Sequence, residues 1–382
     1  MQQKLRAARL FMRDLHMLQS ELAISRSFSQ ELEDLAATID DPIHKTEKYR
    51  RIIFHLIKRL VKTARTCEAK LAAMASNQIY QKPDIDQTIQ GWEDVEPIHD
   101  AEELIKPLRV VYDSMMETGF ELVAEGRLLD IIRRVYAFGL TLVPLDIREE
   151  STKHTEALDA ITRYLGVGSY KEWSEEARLS FLQSELANKR PFFRIRDLDS
   201  LGFDPSVVKT LRTFFTASQI HPSALGAYVI SQAQSASDVL AVMLLQKQVG
   251  MTSDKGNMMR VVPLFETLDD LTNASGVLET LFKIPIYFGA IKGKQEVMVG
   301  YSDSAKDAGR LAASWALYNN QEEMSEIAKK YGIELTFFHG KGGTVGRGGN
   351  PALYRGILSH PPGVSSLRNL CTLLSLLCLF NP

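Results

Sequence analysis

Arg260-Val-Val-Pro-Leu-Phe265, running into Glu266-Thr-Leu-Asp-Asp-Leu271, is the stretch that decides the fold. The first part is apolar and of strand length, and it stops at a carboxylate. Apolar residues then return at helical spacing from about Leu268 to Phe282. The same phrase recurs along the chain. Leu140 to Ile147 stops at Arg148, and a helix is predicted from about Lys153 to Leu165. Ala227 to Ser231 is followed by a helix over Ser237 to Val249. Val297 to Tyr301 stops at Ser302-Asp303, ahead of one long helix from Ala305 to Tyr331. Ile333 to Phe338 stops at His339 and a glycine-dense loop, with a short helix near Pro351 to Leu358. About five strand-then-helix units imply a helix-rich α/β fold with a parallel sheet. Parallel strands point one way, so Arg148, Glu266, Asp303 and His339 are expected to gather at one end of that sheet. Both α/β barrels and doubly wound sheets carry their chemistry there.

Outside these units the chain is helical. Residues 1–137 read as successive helices. The clearest, Glu47 to Ala73, has Tyr49, Ile52, Ile53, Leu56, Ile57 and Leu60 on one apolar stripe. Residues 77–99 read as a connection. Residues 138–362 form the α/β region, with a helical insert over 166–225 whose starts are marked by Ser174-Glu175-Glu176 and Pro205-Ser206. Residues 363–382 are a divergent tail rich in Leu, Ser and Cys.

Composition narrows the function. The formal net charge of −2 over 382 residues argues against a nucleic-acid binder. Cys67, Cys371 and Cys378 make neither a ligand cluster nor a paired framework, which points to a reducing compartment. The N-terminal residues lack a signal-peptide core, and Leu370 to Phe380 is about half the length of a membrane span. The expectation is a cytoplasmic protein without a membrane partner.

The glycine-dense loop, His339-Gly-Lys-Gly-Gly-Thr-Val-Gly-Arg-Gly-Gly349, carries Lys341 and Arg347. Glycines let backbone N–H groups crowd around an anion, and the arginine stands between two of them. A mobile surface loop is the plain alternative. Glu266 and Asp303 are carboxylates at neighbouring strand ends, and two carboxylates are what a Mg²⁺ or Mn²⁺ site asks of a protein. Each could instead cap the helix that follows it. Lys306 is expected in a first helical turn, against the macrodipole, as though an anionic substrate selected it. Arg148 offers a planar fork for phosphate or carboxylate, or an ion pair with Glu149 or Glu150. The set points to a small, highly anionic substrate such as a phosphate ester. The loop does not fit a P-loop, and its spacing fits a dinucleotide fingerprint only loosely.

Four segments resemble the signatures of the phosphoenolpyruvate carboxylase family. They are Leu145-Asp-Ile-Arg-Glu-Glu-Ser-Thr152, Pro263-Leu-Phe-Glu-Thr-Leu-Asp-Asp-Leu271, Val297-Met-Val-Gly-Tyr-Ser-Asp-Ser-Ala-Lys-Asp-Ala-Gly309 and Phe338 to Gly349. The resemblance runs from the first helices to Pro362. It implies a (β/α)₈ barrel within many extra helices, a homotetramer, and Mg²⁺- or Mn²⁺-dependent carboxylation of phosphoenolpyruvate by bicarbonate to oxaloacetate and phosphate, an anaplerotic carbon dioxide fixation. By motif, Glu266 and Asp303 would hold the metal and Arg148 the substrate phosphate. Lys306 and His339 would sit beside bicarbonate and phosphoenolpyruvate, and Arg347 would stabilise the moving phosphoryl charge. Lys341 stands where the family has arginine, which turns a bidentate phosphate contact into a point charge.

The family's Thr-Ala-His-Pro-Thr motif does not occur in these 382 residues, nor do its further strands and inhibitor pocket. The expectation is therefore an internal segment, about five of eight barrel units, inactive alone. Alternatives are a non-catalytic isoform that docks onto full-length carboxylase subunits, and a nucleotide-binding α/β protein.

Overall fold

A computed structural model describes residues 1–22, 27–41, 44–75, 95–254, 256–340 and 361. It divides into two compact units, Met1–Pro144 and Leu145–Pro382.

The first unit is all helix: α1 (Gln2–Glu21), α2 (Gln30–Ala37), α3 (Lys48–Ala75), α4 (Glu102–Glu117), and α5 (Glu121–Val123), which passes through a π-helical turn into α6 (Leu129–Phe138). The stripe on α3 does what its spacing demands. Tyr49, Ile52, Ile53, Leu56, Ile57 and Leu60 are all buried, against Phe11, Leu15 and Leu18 of α1 and Leu104, Leu108 and Val111 of α4. Ser29 caps α2, its side chain accepting from the Leu32 N–H at 3.3 Å.

The second unit alternates strand and helix. Its order is β1 (Leu145–Glu150), α7 (Ser151–Tyr164), α8 (Glu175–Ala187), α9 (Pro205–Ser218), β2 (Leu225–Ser231), α10 (Ala236–Gln248), β3 (Arg260–Phe265), α11 (Leu268–Phe282), α12 (Pro285–Ile291), β4 (Lys294–Gly300), α13 (Ser302–Ala308), α14 (Arg310–Lys330) and β5 (Glu334–Gly340). The sheet is parallel throughout, in the order β1-β2-β3-β4-β5. Sequential order excludes a doubly wound sheet, whose order reverses at a switch point. It is consistent with part of a (β/α)₈ barrel. Strand alternation sorts the side chains onto two faces. Tyr228, Ile230, Val261, Phe265, Val297, Val299 and Phe337 join the helices in one large core. Ala227, Val229, Val262 and Leu264, with Met298, form a small cluster on the other face, here called the inner face.

Three expectations need correction. Leu140 to Pro144 is not strand: the chain turns there, with Leu142 at φ 63°, and the ladder begins at Leu145. Pro144 supplies no N–H for a ladder. The long helix after β4 is two helices, because Gly309 takes φ 80° and ends α13. Lys306 consequently lies in the last turn of α13, not in a first turn. A cation there suits the helix dipole, so the dipole argument for an anionic selector falls away. The helix near Pro351 to Leu358 and the tail over 363–382 lie outside the described residues, as does most of the 77–99 connection. No single described helix is long and apolar enough to cross a membrane.

The core holds one ionisable side chain with a testable consequence. His154 on α7 is fully buried, with Nε2 2.8 Å from the Tyr228 hydroxyl and its ring against Phe214. Burial lowers its pKa to about 3. The unfolded chain therefore binds this proton below about pH 6.5 while the folded chain does not. Stability is present above that pH and is lost as pH falls towards 3, by up to about 1.4 kcal/mol per pH unit. His154→Gln, which can keep a hydrogen bond to Tyr228, should show a smaller fall in Tm between pH 7 and pH 5 than the parent. Equal falls in the two proteins would contradict this account.

Candidate active site

Glu266 is the first residue beyond β3 and continues the alternation of Val262 and Leu264, so it belongs to the inner face. It does not cap α11. Thr267 does, its hydroxyl accepting from Asp270 N–H at 3.1 Å while Asp270 Oδ2 accepts from Thr267 N–H at 3.0 Å. Asp270 Oδ2 also takes the Glu266 N–H at 3.3 Å. The capping box leaves the Glu266 carboxylate for other work.

Two groups use it. Arg148 Nη2 donates to Oε1 at 2.7 Å, and the Gln232 N–H donates to Oε2 at 3.3 Å. Arg148 is the fourth residue of β1 and pairs in register with Val229, which places it on the same inner face. Its partner is therefore Glu266, across the intervening β2, and neither Glu149 nor Glu150. The pair is unequal in burial: the Glu266 side chain is 12% exposed, that of Arg148 52%. Gly300, the last residue of β4, makes room for the acid. A Cβ there would come within 3.3 Å of both Cα and Cγ of Glu266.

Gln232 was not singled out by its sequence. It follows β2 with φ 54°, a left-handed conformation uncommon for a residue with a side chain. Ser151 Oγ, at the start of α7, donates to its carbonyl at 2.7 Å. The turn thereby aims its N–H at Glu266. No side-chain pattern announces a backbone donor.

Asp303 is the second residue of α13, three beyond the end of β4, and so at the same end of the sheet as Glu266. Its side chain lies outside the described residues. The segment around it is well tied: Ser304 Oγ donates to Gly300 O at 2.8 Å, and Asp307 Oδ2 accepts from the Leu268 N–H of α11 at 3.0 Å. Lys306 is exposed on the same short helix. Lys341 and Arg347 lie outside the described residues.

His339 shares that end of the sheet but not the face. It pairs in register with Val299, a residue of the helix-side core, next to Phe337 of the same core. Its Nδ1 lies 2.9 Å from the hydroxyl of Tyr301. Burial pushes the Tyr301 phenol up, so its proton is retained at neutral pH. The structure thus joins Arg148 to Glu266 on one face and His339 to Tyr301 on the other. The expectation that four strand-end residues converge holds for the end of the sheet; alternation along β5 turns His339 away from Glu266.

A divalent cation suits the chemistry of Glu266. Its carboxylate is nearly buried, held by a backbone N–H, and already faces a positive guanidinium at contact distance. Among the described residues no group of three or more His, Cys, Asp or Glu could hold a metal. A site of two carboxylates completed by water and substrate oxygens forms no such group.

Comparison with known proteins agrees with the motifs. A family model described as Phosphoenolpyruvate carboxylase matches residues 1–368, a little past Pro362, where the motif resemblance ends. Phosphoenolpyruvate carboxylase 1 of Chlamydomonas reinhardtii is 46% identical over 323 residues, covering 84% of this chain and 31% of that protein. The phosphoenolpyruvate carboxylase of Marinobacter nauticus is 44% identical over 359 residues, 94% of this chain and 37% of that one. Phosphoenolpyruvate carboxylase 2 of Arabidopsis thaliana is 51% identical over 262 residues, 69% and 26% respectively. The chain spans about a third of the length of these curated relatives. With the family model matched along nearly all of its length, the chain belongs to the phosphoenolpyruvate carboxylase family.

Proposed function

We propose that this chain carries the metal- and phosphate-binding part of a phosphoenolpyruvate carboxylase site. The observation that supports this best is the contact between Arg148 and Glu266, two residues 118 apart in sequence that meet on one face at one end of the sheet. In this reading Glu266 and Asp303 hold Mg²⁺ or Mn²⁺, which when bound would polarise substrate oxygens and offset their negative charge. Arg148 grips the substrate phosphate with its planar fork. Bicarbonate oxygen attacks phosphorus, the bond from phosphorus to the enol oxygen breaks, and carboxyphosphate and the enolate of pyruvate result. Carboxyphosphate then loses phosphate to give CO₂, and the enolate carbon adds to it, forming oxaloacetate. Lys306 sits beside bicarbonate and phosphoenolpyruvate in this reading. Lys341 contacts the substrate phosphate as a point charge, and Arg347 offsets the charge that moves with the phosphoryl group. His339, whose described partner is Tyr301, acts from behind the strand, at the root of the glycine loop.

In the same reading the 382 residues do not turn over alone. Among the described residues β1 and β5 each pair on one side only, and five strands do not close a barrel. Those two edges also favour the second reading, a non-catalytic isoform that docks onto longer carboxylase subunits in a cytoplasmic oligomer. The test has two measurements on the purified chain. Isothermal titration should show phosphoenolpyruvate binding that requires Mn²⁺, and a coupled assay should show no oxaloacetate. Oxaloacetate at rates typical of such enzymes would refute the claim of inactivity, and phosphoenolpyruvate binding indifferent to Mn²⁺ would refute the site. Capture of full-length carboxylase by the tagged chain would favour the docking role.

A further inference from the structure

We propose that Arg148 and a divalent cation compete for the same oxygen of Glu266, so that the arginine is a built-in counter-ion which the metal displaces towards the substrate phosphate. The inference rests on reading Glu266 as an ion-holding carboxylate, and goes beyond it by making the two binding events one exchange.

The asymmetry of the pair carries the argument. Glu266 is held: its side chain is 12% exposed, Oε2 takes the N–H of Gln232 at 3.3 Å, and its backbone N–H is bound by Asp270. Gln232 is itself fixed by Ser151 in a left-handed turn. Arg148 is held far less. Half its side chain is exposed, and it donates to Oε1 at 2.7 Å. When a second cation reaches this carboxylate, the arginine is the partner able to move. Guanidinium and a divalent ion also repel each other at such separations, which disfavours holding both on Oε1 at once. The displaced guanidinium remains on the inner face, tethered at the fourth position of β1, with its donors directed to no acid. A phosphate dianion is the ligand whose geometry and charge match that fork.

Two linked consequences follow. While the pair is intact, Glu266 is kept from the cation and Arg148 from the phosphate. Anything that removes one partner releases the other. Cation and phosphate therefore strengthen each other's binding, by the same factor in both directions. A carboxylate and an arginine that bound their ligands independently would show no coupling between metal and phosphate.

The test follows Mn²⁺ binding by the loss of the free-ion paramagnetic resonance signal, with methyl phosphate as an unreactive anion, on the intact 382-residue chain. Methyl phosphate should tighten Mn²⁺ binding about fivefold or more, the lower end of usual coupling between sites. Mn²⁺ should tighten methyl phosphate binding equally. Arg148→Gln should bind Mn²⁺ at least about fivefold more tightly than the parent without methyl phosphate, and should lose the response to it. Mn²⁺ should also raise the Tm of Arg148→Gln more than that of the parent. An Arg148→Gln chain that binds Mn²⁺ no more tightly than the parent would overturn the exchange. So would independent Mn²⁺ and methyl phosphate binding in the parent, a result that needs no variant to fold. If instead Glu266→Gln binds Mn²⁺ as the parent does, the ion-holding role of Glu266 is what fails, and the two failures are told apart.

Discussion

Glu266→Gln is expected to abolish saturable Mn²⁺ binding, weakening it by more than the roughly hundredfold that loss of an outer-shell partner can cost. The substitution keeps the volume and the planar head group, and it removes the negative charge that a hard cation requires. Nothing in the capping of α11 should change, since Thr267 and Asp270 perform it without the Glu266 side chain. The helix content by circular dichroism should therefore match the parent, while Arg148 loses its ionic partner. Binding within a few-fold of the parent would remove the carboxylate from the site. Asp303→Asn offers the companion measurement, because the same loss is expected if the second carboxylate contributes.

The second large effect is on stability. Phe265→Ala should cost about 3–5 kcal/mol, the usual range for truncating a buried phenylalanine. Phe265 is fully buried, ends β3 and points into the helix-side core with Leu271, Val277 and Val299. Its removal leaves a cavity in the helix-side core beside the end of β3, the strand that leads into Glu266. Urea denaturation checks the energy, and Mn²⁺ titration of the folded fraction checks the coupling to the site. Leu311→Ala is the control. That side chain, on α14, is 88% exposed, and its truncation should change stability by less than about 0.5 kcal/mol. Equal losses for the two substitutions would mean that packing behind β3 does not govern this region.

Much of the site was legible because its residues interrupt strong local patterns. Glu266 ends an apolar run at a place where only a turn is otherwise needed, and Arg148 does the same in β1. Their contact was not legible. It depends on β1 and β3 lying on either side of β2, with alternation setting Arg148 and Glu266 on one face. His339 ends the apolar run in the sequence but lies within β5 as its penultimate residue, where alternation and the pairing with Val299 set its face. Lys306 misled for a similar reason. Its surroundings look helical either way, and only Gly309, adopting φ 80°, makes its turn the last of a short helix. Gln232 and Tyr301 were missed because one acts through a backbone N–H and the other through a neighbour.

The amino-acid order alone determined that strands and helices alternate in the second unit, that α3 buries one stripe, and that acids and cations stand at strand ends. These follow from periodicity, which is a property of consecutive residues. Only the tertiary structure decided that the strands line up as β1-β2-β3-β4-β5 with the helices packed on one face. It also decided that Arg148 meets Glu266 while His339 meets Tyr301. The reason is physical: contacts across a sheet depend on register and strand order, which arise from the burial of many side chains at once, and no short stretch of sequence encodes them.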